Sequence, residues 1–160
     1  MIQNMQAGQL ISLAINDQVK EAYVRNSDTL LYTLREQFGL VGAKPGCNNG
    51  DCGSCTVLVD GIPINSCHIL SVEAVGHKIT TIEGLTDSTI QQAFIGNWAI
   101  QCGYCTPGYI LNIYALIQTY PDADDAMINE WLESNICRCT GYQEIKEAVK
   151  NTLIARKINE

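Results

Sequence analysis

The sequence predicts an α+β protein in two parts, a small mixed sheet packed on one helix followed by a four-helix bundle. Three observations carry that expectation. Apolar residues alternate with polar ones early in the chain, whereas after Thr86 they recur at three- and four-residue spacing. The dipeptide Asp60-Gly61 separates two short apolar runs and is the strongest hairpin signal in the chain. The eight cysteines divide four and four between the parts, taken here as residues 1–84 and 85–160.

In the first part, Ile11, Leu13 and Ile15 alternate with Ser12, Ala14 and Asn16, the pattern of a half-buried strand. Asn16-Asp17-Gln18 turns the chain, and residues 19–24 return as a second strand. Ser27 or Asp28 is placed to cap a helix whose Leu30, Leu31, Leu34 and Phe38 share one face, with Gly39 as its C-terminal cap. Residues 56–59 and 62–65 form the hairpin, and a last strand is expected over 78–82. In the second part a helix is expected over 88–99. Another starts at Thr106-Pro107, where proline suits the first turn, and buries Ile110, Leu111, Tyr114, Ile117 and Tyr120. A third covers 123–134, with Asp124 and Asp125 at its positive end and Asn135 as the left-handed residue that ends it. The fourth covers 142–155 and places Ile145, Val149 and Leu153 on one face.

With 46% hydrophobic and 17% charged residues, the 160-residue chain has ample material for a core. Its most apolar window, 109–117, is too short to cross a bilayer and contains Asn112. Residues 1–10 show no basic region followed by an apolar run, so no secretory signal is read and a cytoplasmic location is expected. A net charge of −7 argues against nucleic acid or an anionic membrane as partner. Dense cysteine in a cytoplasmic chain points to metal or redox chemistry, because disulfides rarely persist there.

Cys47, Cys52 and Cys55 have the spacing C-x4-C-x2-C, and Cys67 follows in the next strand. This is the plant-type [2Fe–2S] spacing. Three thiolates must converge on a small cluster, so the loop doubles back on itself. Gly46, Gly50 and Gly53 are expected to supply positive φ and let backbone N–H groups approach the sulfurs. Plain buried thiols would not need three glycines, and structural zinc is usually held by paired C-x2-C knuckles. The second quartet, Cys102, Cys105, Cys137 and Cys139, is less specific. Each of its pairs precedes an expected helix, where the dipole favours a thiolate. C-x2-C followed by C-x-C could bind zinc, but a cluster is the favoured reading, and the neighbouring first quartet strengthens it.

Three strings, Gly46-Cys-Asn-Asn-Gly-Asp-Cys-Gly-Ser-Cys-Thr-Val57, Gln101-Cys-Gly-Tyr-Cys-Thr-Pro-Gly108 and Asn135-Ile-Cys-Arg-Cys-Thr-Gly-Tyr142, give the chain a specific likeness. In content, order and separation it resembles the small iron–sulfur subunit of the molybdenum hydroxylases, the family of xanthine dehydrogenase, aldehyde oxidase and carbon monoxide dehydrogenase. The resemblance spans nearly the whole chain. It implies a β-grasp ferredoxin-like [2Fe–2S] domain followed by a four-helix [2Fe–2S] domain, with all eight cysteines as ligands. It further implies a molybdopterin in a large partner subunit, FAD in a medium one, and assembly as a dimer of heterotrimers. Gln101 and Cys139 would lie beside the pterin, Cys139 as both cluster ligand and conduit. His68, directly after Cys67, departs from the family, which commonly carries an apolar residue there.

The implied role is relay of single electrons from the pterin to the flavin or another acceptor, as part of an oxidoreductase whose substrate site lies on another chain. No residue here has the context of a catalytic base or nucleophile. His77 reads as an ordinary loop residue, and His68 as either solvent-facing or a tuning group. Arg138, between two ligands, reads equally as a charge offset for the cluster or as half of a structural salt bridge. Two other functions compete. A free-standing two-cluster ferredoxin would show polar surface around its clusters, whereas a relay subunit would surround them with apolar residues such as Trp98, Tyr104, Tyr109 and Tyr142. Trp131 reads as bundle core. A zinc-stabilised interaction module would be colourless.

Overall fold

In the computed structural model, which describes residues 8–159, strands β1 (Gly8–Ile15) and β2 (Gln18–Arg25) pair antiparallel, from Gly8 with Arg25 to Ile15 with Gln18. Asn16 and Asp17 turn the chain at φ of 50° and 60°, a region that Asn and Asp enter more cheaply than other side chains. The following helix is capped by Thr29, not by Ser27 or Asp28. Thr29 Oγ1 accepts from the Tyr32 N–H at 3.2 Å. Asp28 is occupied instead by Arg25, accepting from both its backbone N–H and its guanidinium. Helix α1 (Leu30–Tyr32) widens at once into a π-helical segment (Thr33–Gln37), and Gly39 leaves it at φ +68° as expected.

Strands β3 (Thr56–Val59) and β4 (Ile62–Asn65) form the hairpin, with Asp60 and Gly61 at φ of 51° and 83°. All four residues of β3 are buried, because the strand is covered on both faces. Val57 and Val59 join the core beneath the sheet, while Leu58 packs with Leu111 and Ala115. Strand β5 (Lys78–Thr80) lies between β1 and β3, parallel to the first and antiparallel to the second. The sheet order is thus β2-β1-β5-β3-β4. β5 is shorter than expected. Thr81 turns its N–H to Asn16 Oδ1 (2.9 Å), and the chain enters a 3-10 turn (Ile82–Gly84).

Four helices follow, α2 (Thr89–Gly96), α3 (Thr106–Thr119), α4 (Asp125–Leu132) and α5 (Gln143–Asn159). α2 ends before residue 99 because Trp98 takes φ +56°, and α5 starts only after Tyr142, which stands at φ +68°. Asp124 caps α4, accepting from Met127 N–H at 2.9 Å. Asn135 is not a left-handed terminator. It is a buried residue used elsewhere, described below. Tyr120 lies outside the α3 stripe and meets Trp131 edge-on at 6.0 Å.

One core gathers Leu13, Ile15, Leu30, Leu34, Val57 and Ile79, and a second gathers Phe94, Tyr109, Ile113, Leu116, Ile145 and Val149. The small cluster of Leu58, Leu111 and Ala115 joins them across β3 and α3. Among the described residues no helix is long and apolar enough to cross a membrane.

Candidate metal centres

All eight cysteines are free thiols. In the first quartet, Cys47, Cys52 and Cys55 lie on the loop between the π-helical segment and β3, and Cys67 lies in the turn just after β4 rather than within the strand. The side chains of Cys47 and Cys52 influence one another's ionisation, and so do those of Cys55 and Cys67. The amides of Asn49 and Cys52 point at Cys47 Sγ from 3.5 and 3.4 Å. Those contacts, the Asn49 amide foremost, pull the Cys47 thiol down to about 7, whereas burial pushes Cys55 up to about 12.

The loop takes its shape from a different glycine set than expected. Gly50 and Gly53 do have positive φ, but Gly46 does not. Gly46 is small for another reason, since a Cβ there would stand 2.6 Å from Cys52 Sγ. Asn48 supplies the additional left-handed residue, at φ 59°. Asn65, at the end of β4, clamps the loop by donating to the Gly50 carbonyl at 2.7 Å. Its presence in a strand, where Asn is disfavoured, was the one sequence signal for that role.

The second quartet is assembled from two loops. Cys105 is the N-cap residue of α3, with Cys102 three residues before it, and Cys137 and Cys139 lie in the loop ahead of α5. Only Cys105 therefore occupies a helix N-terminus, and burial still pushes its thiol up to about 12. The sulfurs pair across the loops, Cys102 with Cys139 and Cys105 with Cys137. The Tyr104 amide and then the Cys139 thiol lower Cys102, while that same contact raises Cys139. Burial works against the Cys137 thiolate, but the Thr140 hydrogen bonds, one from its amide at 3.4 Å, bring it below the ordinary thiol value. Cys137 N–H donates to the Tyr142 hydroxyl at 3.2 Å.

The two loop systems touch. Ile136 N–H donates to the Cys52 carbonyl at 3.0 Å, and the buried Asn135 side chain donates to the Gly53 carbonyl at 2.9 Å. Tyr109 hydroxyl closes the contact from beneath, donating to the Asn135 carbonyl at 2.6 Å. A Cβ on Gly108 would run into the Gly53 carbonyl, so α3 can approach the loop only with glycine there.

Among the described residues no three His, Cys, Asp or Glu side chains form a group that would hold a single metal ion. The sulfurs come in pairs, two pairs to a quartet, with amides aimed at them and, at Gly46, no room for a side chain beside Cys52. That donor set fits a two-iron core, in which each iron takes two thiolates. Such binding would displace the thiol protons.

Comparison with known proteins agrees with this arrangement. The profile of a 2Fe-2S iron-sulfur cluster binding domain matches residues 13–79, and that of a [2Fe-2S] binding domain matches residues 81–150. The chain is 42% identical over 144 residues to the nicotinate dehydrogenase small FeS subunit of Eubacterium barkeri, covering 88% of this chain and 92% of that one. The chain belongs to the small iron–sulfur subunits of the molybdenum hydroxylases. Quinoline 2-oxidoreductase from Pseudomonas putida 86 superposes with a TM-score of 0.89 at 37% identity, over 95% of this chain and 96% of that one. In the aldehyde oxidoreductase of Desulfovibrio desulfuricans the match has the same TM-score, 0.89, at 33% identity, but it spans only 18% of that longer chain.

In this iron–sulfur subunit Gln101, Cys102 and Cys139 are exposed, and so are Trp98, Tyr104, Ile136 and Tyr142, each within four residues of a cysteine of the second quartet. Trp98 is 84% exposed. Tyr109, expected among them, is instead fully buried core. Arg138 is exposed and belongs to none of the ion pairs among the described residues. The ring of the exposed His68 lies over Gly50, where a Cβ would meet it at 3.1 Å. His77 is more than a loop residue. Its Nδ1 lies 2.6 Å from Asp60 Oδ2 and ties the hairpin turn to the start of β5.

Proposed function

We propose that this subunit relays single electrons between a molybdopterin in a large partner subunit and a flavin subunit or another acceptor. Cys47, Cys52, Cys55 and Cys67, within a domain of residues 1–84, would hold one [2Fe–2S] cluster. Cys102, Cys105, Cys137 and Cys139, within residues 85–160, would hold the other. Bound there, each cluster supplies a one-electron carrier.

The observation that carries the reading is the hydrogen bond from Ile136 N–H to the Cys52 carbonyl. Ile136 directly precedes Cys137, so a ligand of each quartet is joined to the other through a few covalent bonds and one hydrogen bond. The exposed Trp98, Tyr104, Ile136 and Tyr142, close in sequence to exposed Cys102 and Cys139, support a partner surface there rather than a free-standing ferredoxin. On this reading Gln101 and Cys139 face the pterin, and the first quartet serves the acceptor side. The named subunits among the relatives support assembly with further chains, here proposed as a dimer of heterotrimers carrying FAD. A cytoplasmic location belongs to the same proposal, and the absence of disulfides among the eight cysteines supports it.

The test is anaerobic purification of the native protein with its companions. Brown colour, iron, molybdenum and flavin in one co-eluting complex are expected. A colourless, folded, iron-free chain running as a lone monomer would refute the proposal.

A further inference from the structure

Lys44 sits three residues before Cys47 and is half-buried. Its backbone is pinned to the first cysteine loop, with its N–H on the Ser54 carbonyl (2.9 Å) and its own carbonyl accepting from Gly46 N–H (3.0 Å). Its side chain leaves that loop and reaches the other one. The ammonium donates to the Gly42 carbonyl at 2.9 Å and stands 5.9 Å from the centre of the Tyr104 ring. Tyr104 lies between Cys102 and Cys105. One fixed cation thus spans the junction between the two sets of sulfurs.

Two other charges act on it. Arg35 donates to the Val41 and Ala43 carbonyls at 2.9 and 2.7 Å, and Glu83 accepts from Gly42 N–H at 2.7 Å and from Thr81 hydroxyl at 2.6 Å. The segment leading into Cys47 therefore holds two cations against one carboxylate. A half-buried ammonium beside a guanidinium is disfavoured by desolvation and by like charge, and its pKa is lowered accordingly. Anionic centres on either side would offset that cost, since each iron–sulfur core on four thiolates is negative and becomes more so on reduction.

We propose that Lys44 is a positioning residue whose charge, balanced by Glu83, sets the electron affinity of the iron–sulfur sites on both sides of the loop junction. The inference rests on the relay reading above. A positive charge near a cluster favours its reduced state, and a carboxylate disfavours it.

The test is a redox titration of the assembled complex, followed by the electron paramagnetic resonance signals of the two clusters. Lys44→Gln should move at least one signal to lower potential, Glu83→Gln should move it higher, and Lys44→Arg should leave it near the unaltered value. Opposite signs distinguish charge from loosened packing, which would move both neutralised variants the same way. Shifts of the same sign, or none, overturn the inference. If Lys44→Gln does not assemble with its iron, Glu83→Gln decides alone, and only an upward shift supports it. Absence of both signals from the unaltered complex would strike the relay reading itself, whereas signals that titrate unmoved strike only Lys44.

Discussion

The two cysteine quartets solve one chemical problem by different means. In the first, three sulfurs come from nine consecutive residues, and side chains close by, Asn65 above all, hold the loop to the β3–β4 hairpin. In the second, each sulfur pair joins residues more than thirty apart in sequence, and the loops meet only because α3 and α5 pack in one core. Cys55 and Cys67 are buried in the first, while Cys102 and Cys139 are exposed in the second. A site built locally carries its own shield. A site built from distant loops leaves two of its four sulfurs at the surface, where the proposed partner would complete its cover.

Substituting the cysteines breaks this comparison most directly. Cys52→Ser should remove one cluster signal and about half the iron while leaving the other, since each quartet is expected to hold two irons. Cys139→Ser should stop electron flow from substrate to acceptor with the flavin content unchanged. Retention of both signals, or normal turnover, would show that the ligands are misassigned. Iron analysis, paramagnetic resonance and steady-state assays read these outcomes.

Gly53→Ala probes the junction between the quartets. Gly53 has φ +66°, and a Cβ would strike the Asn135 side chain and the Ser134 carbonyl. Strain alone should lower stability by about 1–3 kcal/mol, with the collision adding to it, measured as a fall in the thermal midpoint of the loaded subunit. Asn135→Ala is gentler. It removes one of three donors to the Gly53 carbonyl, the Thr56 N–H and hydroxyl remaining, at a cost of about 0.5–1.5 kcal/mol, and should slow electron exchange between the two clusters before either is lost. Unchanged stability in both variants would mean that the loops are not locked together.

The smallest effect concerns the metal-stripped chain. Thiolates react with iodoacetamide and thiols do not. Alkylation of Cys47 should therefore rise with pH through about 7, where its thiol ionises, while Cys55, held up at about 12, stays unmodified at neutral pH. Mass spectrometry of the labelled peptides would read the order. Equal labelling of the two at pH 7 would contradict the electrostatic difference between the half-buried and buried ends of the first quartet.

Much of this protein is fixed by short-range chemistry and was legible in the residue order. Asp60-Gly61 dictates its hairpin because both residues tolerate positive φ, and the alternation of Ile11, Leu13 and Ile15 dictates which face of β1 is buried. The spacing of Cys47, Cys52 and Cys55 likewise announces a loop wound around one centre. Helix ends were less legible. Thr29 rather than Ser27 caps α1, and Trp98 ends α2 early, because capping and left-handed residues are chosen by small energies that neighbouring packing overrides.

Only the tertiary structure decided which sulfurs meet, that Asn135 is a bridge rather than a helix terminator, and that Lys44 reaches Tyr104. These are contacts between residues distant along the chain. No local preference encodes them, since they exist only once two hydrophobic cores have joined at Leu58, Leu111 and Ala115 and brought the loops within hydrogen-bonding reach.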